Sequence, residues 1–169
     1  MVLRLQESEL FREYQQGFEA LTGLPLVLRE PGSFRTPLEG STRVNPFCVL
    51  MTQRNKSCAA CLQLQQRVEA DAGQAPKTLR CFAGLCESAV PVRVGHKVLG
   101  YLQTGQVLFR LPSKKNFQAI TRVVGGEEAG ADTHQFESAY YQTRVVTRKQ
   151  YHSIVQLLAI FCGAPRGGQ

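Results

Sequence analysis

The sequence predicts an α+β fold in which helices are interleaved with an antiparallel sheet. One observation is the segment Cys81 to Gln106, CFAGLCESAVPVRVGHKVLGYLQTGQ, where two alternating apolar runs flank a Gly95-His96 pair. Period-two alternation predicts strands, and Gly in the first position of a two-residue loop suits a type II′ hairpin turn. Residues 85–94 and 97–108 are therefore expected to pair as antiparallel strands. The other observation is helical spacing of apolar residues both before and after this hairpin. No internal repeat is visible.

Residues 5–21 place Leu10, Phe11, Tyr14, Phe18 and Leu21 on one helical face, with Gly23 as the stop. Leu24 to Arg29 reads as a short strand closed by Pro31-Gly32, and residues 33–43 as a polar loop. Phe47 to Met51 is apolar and fits a helical turn or a strand. Ser57 is an N-cap candidate for a helix with a narrow stripe of Cys61, Leu64 and Val68, closed by Gly73. Thr78 to Phe82 is the next strand candidate. After the hairpin, Ser113 caps a helix through Val124, and Gly125-Gly126 opens a flexible acidic loop to about Thr133. Thr147 and Gln150 form a capping box for a last helix carrying Tyr151, Ile154, Val155, Leu158 and Phe161. Residues 1–163 thus read as a single domain and 164–169 as a disordered tail; 169 residues suffice for one well-buried core but not for two.

The hydrophobic share is 43% and the charged share 20%, ordinary for a globular protein. There is no long apolar run and no signal-peptide core, so a cytoplasmic protein without a membrane partner is expected. The net charge of +7 is unevenly placed: residues 72–126 hold eight Lys or Arg and a single acid, Glu87, while the remainder balances. A solvated basic face is the plain explanation, and an anionic ligand or partner surface is the alternative. Direct nucleic-acid binding is not expected, because no binding motif gathers these cations and few aromatics interleave them.

Six cysteines in a reducing compartment point to free thiols, metal ligands or redox groups. Cys58-x-x-Cys61 falls on a predicted helix first turn, where the dipole favours thiolate. With Cys48 and Cys81 it makes four thiols, the number a zinc ion or an iron–sulfur cluster needs. The spacing is looser than two close pairs, so three readings stay open: a metal site, buried thiols packed around a pocket, and a reversible Cys58–Cys61 disulfide. No catalytic constellation is present. His96, His134 and His152 sit in a turn, a loop and a helix, Glu87 reads as a local ion-pair partner, and no Gly-rich phosphate loop exists. The chain is not expected to be an enzyme.

An unbroken register across the Gly95-His96 turn would pair Val92 with Leu99, Val90 with Tyr101 and Ser88 with Gln103 on one face. That face offers an apolar wall with graded polar groups, as a small-molecule pocket requires. Ser88, Val90, Val92, Leu99, Tyr101, Gln103 and Gln106, with Phe82 at the hairpin entrance, are the candidate ligand-binding residues. Gln103 and Gln106 carry most weight, since a buried amide must find a partner.

Phe47-Cys48, Cys58-x-x-Cys61, Cys81-x-Ala83-Gly84-Leu85 and the hairpin end Leu99-Gly100…Gly105-Gln106-Val107, followed by a capped helix with Leu157-Leu158, resemble the PocR sensory domain. The likeness runs from about residue 5 to 162. It implies a PAS-like antiparallel sheet flanked by helices that binds a small organic effector, such as a diol, a sugar or a simple hydrocarbon derivative. It also implies an output domain outside this chain, for which AraC-type DNA-binding, histidine kinase or cyclic-nucleotide signalling domains are the usual companions. A homodimer through the C-terminal helix is the expected assembly, with that helix as the signalling exit. The alternative function is a cysteine-based metal or redox sensor.

Overall fold

The structure is a computed structural model describing residues 5–33, 35–36, 38–73, 75–124 and 133–163. Its described elements are, in chain order, α1 (Glu9–Thr22), β1 (Leu26–Arg29), α2 (Pro46–Thr52), α3 (Asn55–Asp71), β2 (Lys77–Arg80), β3 (Cys86–Val94), β4 (Lys97–Val107), α4 (Lys114–Val124), α5 (Thr133–Tyr141) and α6 (Arg148–Phe161). The strands form one antiparallel sheet in the order β1-β4-β3-β2. This is the expected α+β architecture, with the sheet flanked by helices in a PAS-like manner.

Local chemistry sets most boundaries. Ser8 caps α1 by accepting from the Phe11 amide, and Gly23 ends it in the left-handed region at φ 67°. Asn45 caps α2, with Pro46 in the first turn where its missing N–H costs nothing. The segment around Phe47 is therefore helix. Ser57 is not an N-cap: α3 starts at Asn55, and the Ser57 hydroxyl donates to the Met51 carbonyl at 2.5 Å. The Thr147–Gln150 capping box on α6 is complete in both directions. The run from Thr133 to Tyr141, not expected to be regular, is helix α5, and Phe136, Ala139 and Tyr140 bury its inner face. The expected flexible loop of residues 125–132 and the tail of 164–169 lie outside the described residues.

The hairpin forms as expected, but its register does not run unbroken. Val94 pairs with Lys97 and Arg93 with Val98, then Val92 pairs with Gly100 rather than Leu99. The extra residue is a β-bulge, which flips everything beyond it to the other face. Its cause lies in β1: a Cβ on Gly100 would stand 2.5 Å from the Arg29 carbonyl oxygen. Gly is needed opposite β1, and the strand shifts by one residue to place it there. A second irregularity lies between Cys86 and Glu87, where Gly105 has φ 139° and Gln106 φ 56°.

The sheet is therefore two-sided. One face, with Leu26, Leu28, Val90 and Leu102, packs under α1 and α6 through Phe11, Tyr151, Val155 and Leu158. The opposite face puts Ala89 and Tyr101 against Val68 and Ala72 of α3. A further cluster links Phe47 and Met51 of α2, Leu85 and Leu108, and Phe117, Phe136 and Tyr140 of α4 and α5.

Candidate functional site

The bulge divides the predicted ligand wall. Val90, Val92 and Leu99 belong to the core beneath α1 and α6, so they do not form a pocket wall beside Tyr101 and Gln103. Ser88 faces the same way, bonded to Thr78 Oγ1 at 2.6 Å and to the Tyr151 hydroxyl at 2.9 Å. Tyr101 and Gln103 pair instead with Pro91 and Ala89, on the face that α3 covers. The five residues Val90, Val92, Leu99, Tyr101 and Gln103 therefore do not share one face.

Beneath α3 lies a set of buried polar groups built from three elements. Gln65 Nε2 donates to Glu69 Oε1 at 2.7 Å, and Gln103 Nε2 donates to the same oxygen at 3.2 Å. Arg29, 4% exposed, pairs with Glu69 at 3.7 Å. Its guanidinium also donates to the carbonyls of Ser33, Arg35 and Thr36 at 2.9 Å each. Burial lowers the Arg29 pKa, and the charge of Glu69 works against that. After this bonding, the side-chain oxygens of Gln65 and Gln103 and Nε2 of Gln106 are buried with no partner. A buried amide atom without a partner costs about 1–3 kcal/mol, so each of these is a point where a polar group of a ligand would gain a bond.

Gln106 lies beside the cysteines. Its Oε1 accepts from the Asn45 amide at 2.8 Å, and its carbonyl accepts from Asn45 Nδ2 at 3.1 Å. These bonds hold a non-glycine residue at positive φ, a conformation that costs about 1–2 kcal/mol. Gln106, Glu87, Cys48, Cys61 and Cys81 line a cavity of about 20 Å³, together with Phe82, which is otherwise partly exposed. Three of the four predicted thiols thus reach one cavity, and the pKa of Cys61 is also raised by the nearby Cys58.

The electrostatics there run against thiolate. Burial pushes the Cys61 thiol up to about 12 and Cys81 up to about 11, with the charge of Glu87 as the next cause in both. Cys48 is raised too, first by burial and then by the charge of Glu87. For Cys61, desolvation outweighs the helix-end effect expected from sequence. Among the described residues, no group of three or more His, Cys, Asp or Glu is arranged to hold a metal ion. Glu87 is not an exposed ion-pair partner but a buried carboxyl, pushed up to about 7 by desolvation against the pull of Arg29.

Sequence reasoning missed Arg29, Gln65, Glu69 and Glu87. The signal for two of them was present: Gln65 and Glu69 stand four residues apart, alongside Leu64, Val68 and Ala72 on the buried side of α3.

Polar groups of α3, β1 and β4 are thus buried together under one covering helix. Residues 5–164 match the family model described as the sensory domain found in PocR. The chain belongs to the PocR sensory-domain family. It is similar to the Regulatory protein PocR of Salmonella typhimurium (strain LT2), with 32% identity over 104 residues, covering 59% of this chain. The match spans 33% of that relative's length. No solved structure gives a significant match. Among the described residues, no helix is long and apolar enough to cross a membrane.

Proposed function

We propose that this chain is the sensory part of a cytoplasmic regulator and has no catalytic role of its own. It binds a small organic effector between the sheet and α3 and controls an attached transcriptional or signalling output domain. The unpartnered amide atoms of Gln65, Gln103 and Gln106 are the observation that supports this most. A short diol, a sugar or another simple hydrocarbon derivative bearing hydroxyls can both donate to the two oxygens and accept from the nitrogen. The ligand set is then Tyr101, Gln103 and Gln106 with Gln65 and Glu69, while Phe82 is placed at the rim. Gln65, Glu69 and Gln103 are bonded to one another in the structure, so the effector selects a form in which α3 stands further from the sheet. The test is calorimetry with short diols and sugars on the chain and on Gln103→Leu. The variant is expected to lose about 1–3 kcal/mol of binding, and unchanged affinity removes Gln103 from the site.

The α1–α6 layer supplies the route to the output and to a second copy. Leu157, Ile160 and Phe161 of α6 and Leu10 and Leu21 of α1 are exposed apolar residues. A homodimer through α6 would cover this surface, twofold pairing being the commonest assembly.

A second reading, a metal or redox sensor, is favoured by the meeting of Cys48, Cys61 and Cys81 at one cavity. Elemental analysis of protein purified without chelator tests the metal form: stoichiometric zinc or iron supports it, and absence removes it. Thiol titration before and after mild oxidation tests the redox form, which an unchanged thiol count removes.

A further inference from the structure

The chain's excess positive charge comes from residues 72–126, where eight Lys or Arg face the single acid Glu87. Glu87 is buried on the α3 side, where the protein disfavours its charge, so it offsets little of this field. On the surface, Arg80 at the end of β2, Arg110 beyond β4 and Arg148 in the first turn of α6 line one cavity of about 670 Å³. All three are exposed. Among the described residues no carboxylate lines this cavity, and the Arg29–Glu69 ion pair lies on the α3 side of the sheet.

The Cys86 thiol is raised by burial, and the charges of Arg80 and Arg148 work against that. Arg148 is held with its guanidinium carbon 4.8 Å from the centre of the Phe109 ring. Like charges around one concavity repel, and nothing in the described fold neutralises them. Asn116 adds a polar group and Phe82, 38% exposed, an apolar ring to the same wall.

We propose that this cavity is a second binding site, distinct from the polar cluster under α3, for a small molecule carrying a phosphate or carboxylate oxyanion. The guanidinium fork matches either group through paired N–H donors. The first turn of the 14-residue α6 brings the positive end of a helix dipole to the rim. The volume is that of a metabolite site, and its concave form suits a compact anion better than the extended backbone of a nucleic acid.

The test is calorimetry of the full chain at low ionic strength, with inorganic pyrophosphate and succinate as probes. One-to-one binding of either is expected, and preference between them identifies the oxyanion. Arg80→Gln and Arg110→Gln are each expected to weaken binding at least about tenfold, the loss of a charged hydrogen bond. Arg12→Gln removes the same charge from α1 and is expected to change it less than about twofold. Both test arginines are exposed, so the variants should melt like the parent. The proposal is overturned if neither probe binds, if Arg12→Gln weakens binding as much as Arg80→Gln, or if a mixed-sequence DNA duplex binds more tightly than both probes.

Discussion

Glu87→Gln is expected to change how stability responds to pH. The Glu87 carboxyl is raised from 4.5 to about 7, first by desolvation and against the attraction of Arg29, with the thiols of Cys48, Cys61 and Cys81 around the same cavity. Because the folded pKa lies above the unfolded one, the folded state holds the proton over a range where the unfolded chain has released it. Stability from this group is therefore greatest below about pH 4.5 and is lost as pH rises toward 7. Above that, the loss is constant. At 1.36 kcal/mol per pH unit, the full loss is about 3 kcal/mol, of which roughly 2–3 kcal/mol falls between pH 5 and 8. Gln has nearly the same shape and no charge, so it removes this dependence and leaves every other group the same in both proteins. Urea unfolding of the two proteins at pH 5, 6, 7 and 8 measures the difference. The variant should gain on the parent steadily as pH rises. A constant difference across the series would show that Glu87 is solvated in the folded state, and the closed cavity would then be wrong.

Gly105→Ala should destabilise the domain by about 2–4 kcal/mol, because the new Cβ would stand 2.5 Å from the Cys86 carbonyl oxygen and 2.6 Å from Glu87 Cα. Gly17→Ala on α1, where nothing lies within 4 Å, should instead stabilise by about 0.5–1 kcal/mol; thermal melts of the pair check both signs. Leu157→Glu with Ile160→Glu should shift a dimeric parent to monomer in sedimentation without lowering its melting temperature, since both side chains are more than half exposed. Truncation before α6 is the poorer test, because Tyr151, Val155 and Leu158 belong to the core.

What was legible in the sequence was whatever depends on near neighbours. The Gly95-His96 turn, the capping box at Thr147 and the helical stripes of α1, α4 and α6 each rest on contacts within a few residues. The register beyond Leu99 rests on β1, some seventy residues earlier in the chain, whose Arg29 carbonyl leaves room only for a glycine. Alternation within the hairpin could not reveal that. Helix α5 was hidden because His134, Gln135, Glu137 and Ser138 surround its few apolar positions, although Phe136, Ala139 and Tyr140 keep helical spacing. Half of the candidate site was missed for a related reason. Gln65, Glu69 and Arg29 look like surface residues until the fold closes α3 over the sheet and makes them one another's solvent.

The two faces of the sheet carry different chemistry on the same strands, and this constrains how the proposed effector could signal. In β3, Glu87 lines the small cavity, while the next residue, Ser88, bonds to Tyr151 of α6 at 2.9 Å. In β4, Gln103 reaches Glu69 of α3, while the carbonyl of Thr104 accepts from the same Tyr151 hydroxyl at 3.3 Å. Glu87 and Gln103 are thus each one peptide unit from an anchor of the helix that bears the exposed apolar surface. A ligand that completes the amides under α3 can influence α6 only if it binds two arrangements of these strands with different affinity. The bulge at Gln106 is where two such arrangements are least costly. Its positive φ is held by Asn45 rather than favoured by the residue itself, and a ligand bonding its free Nε2 would fix the amide whose Oε1 already accepts from Asn45.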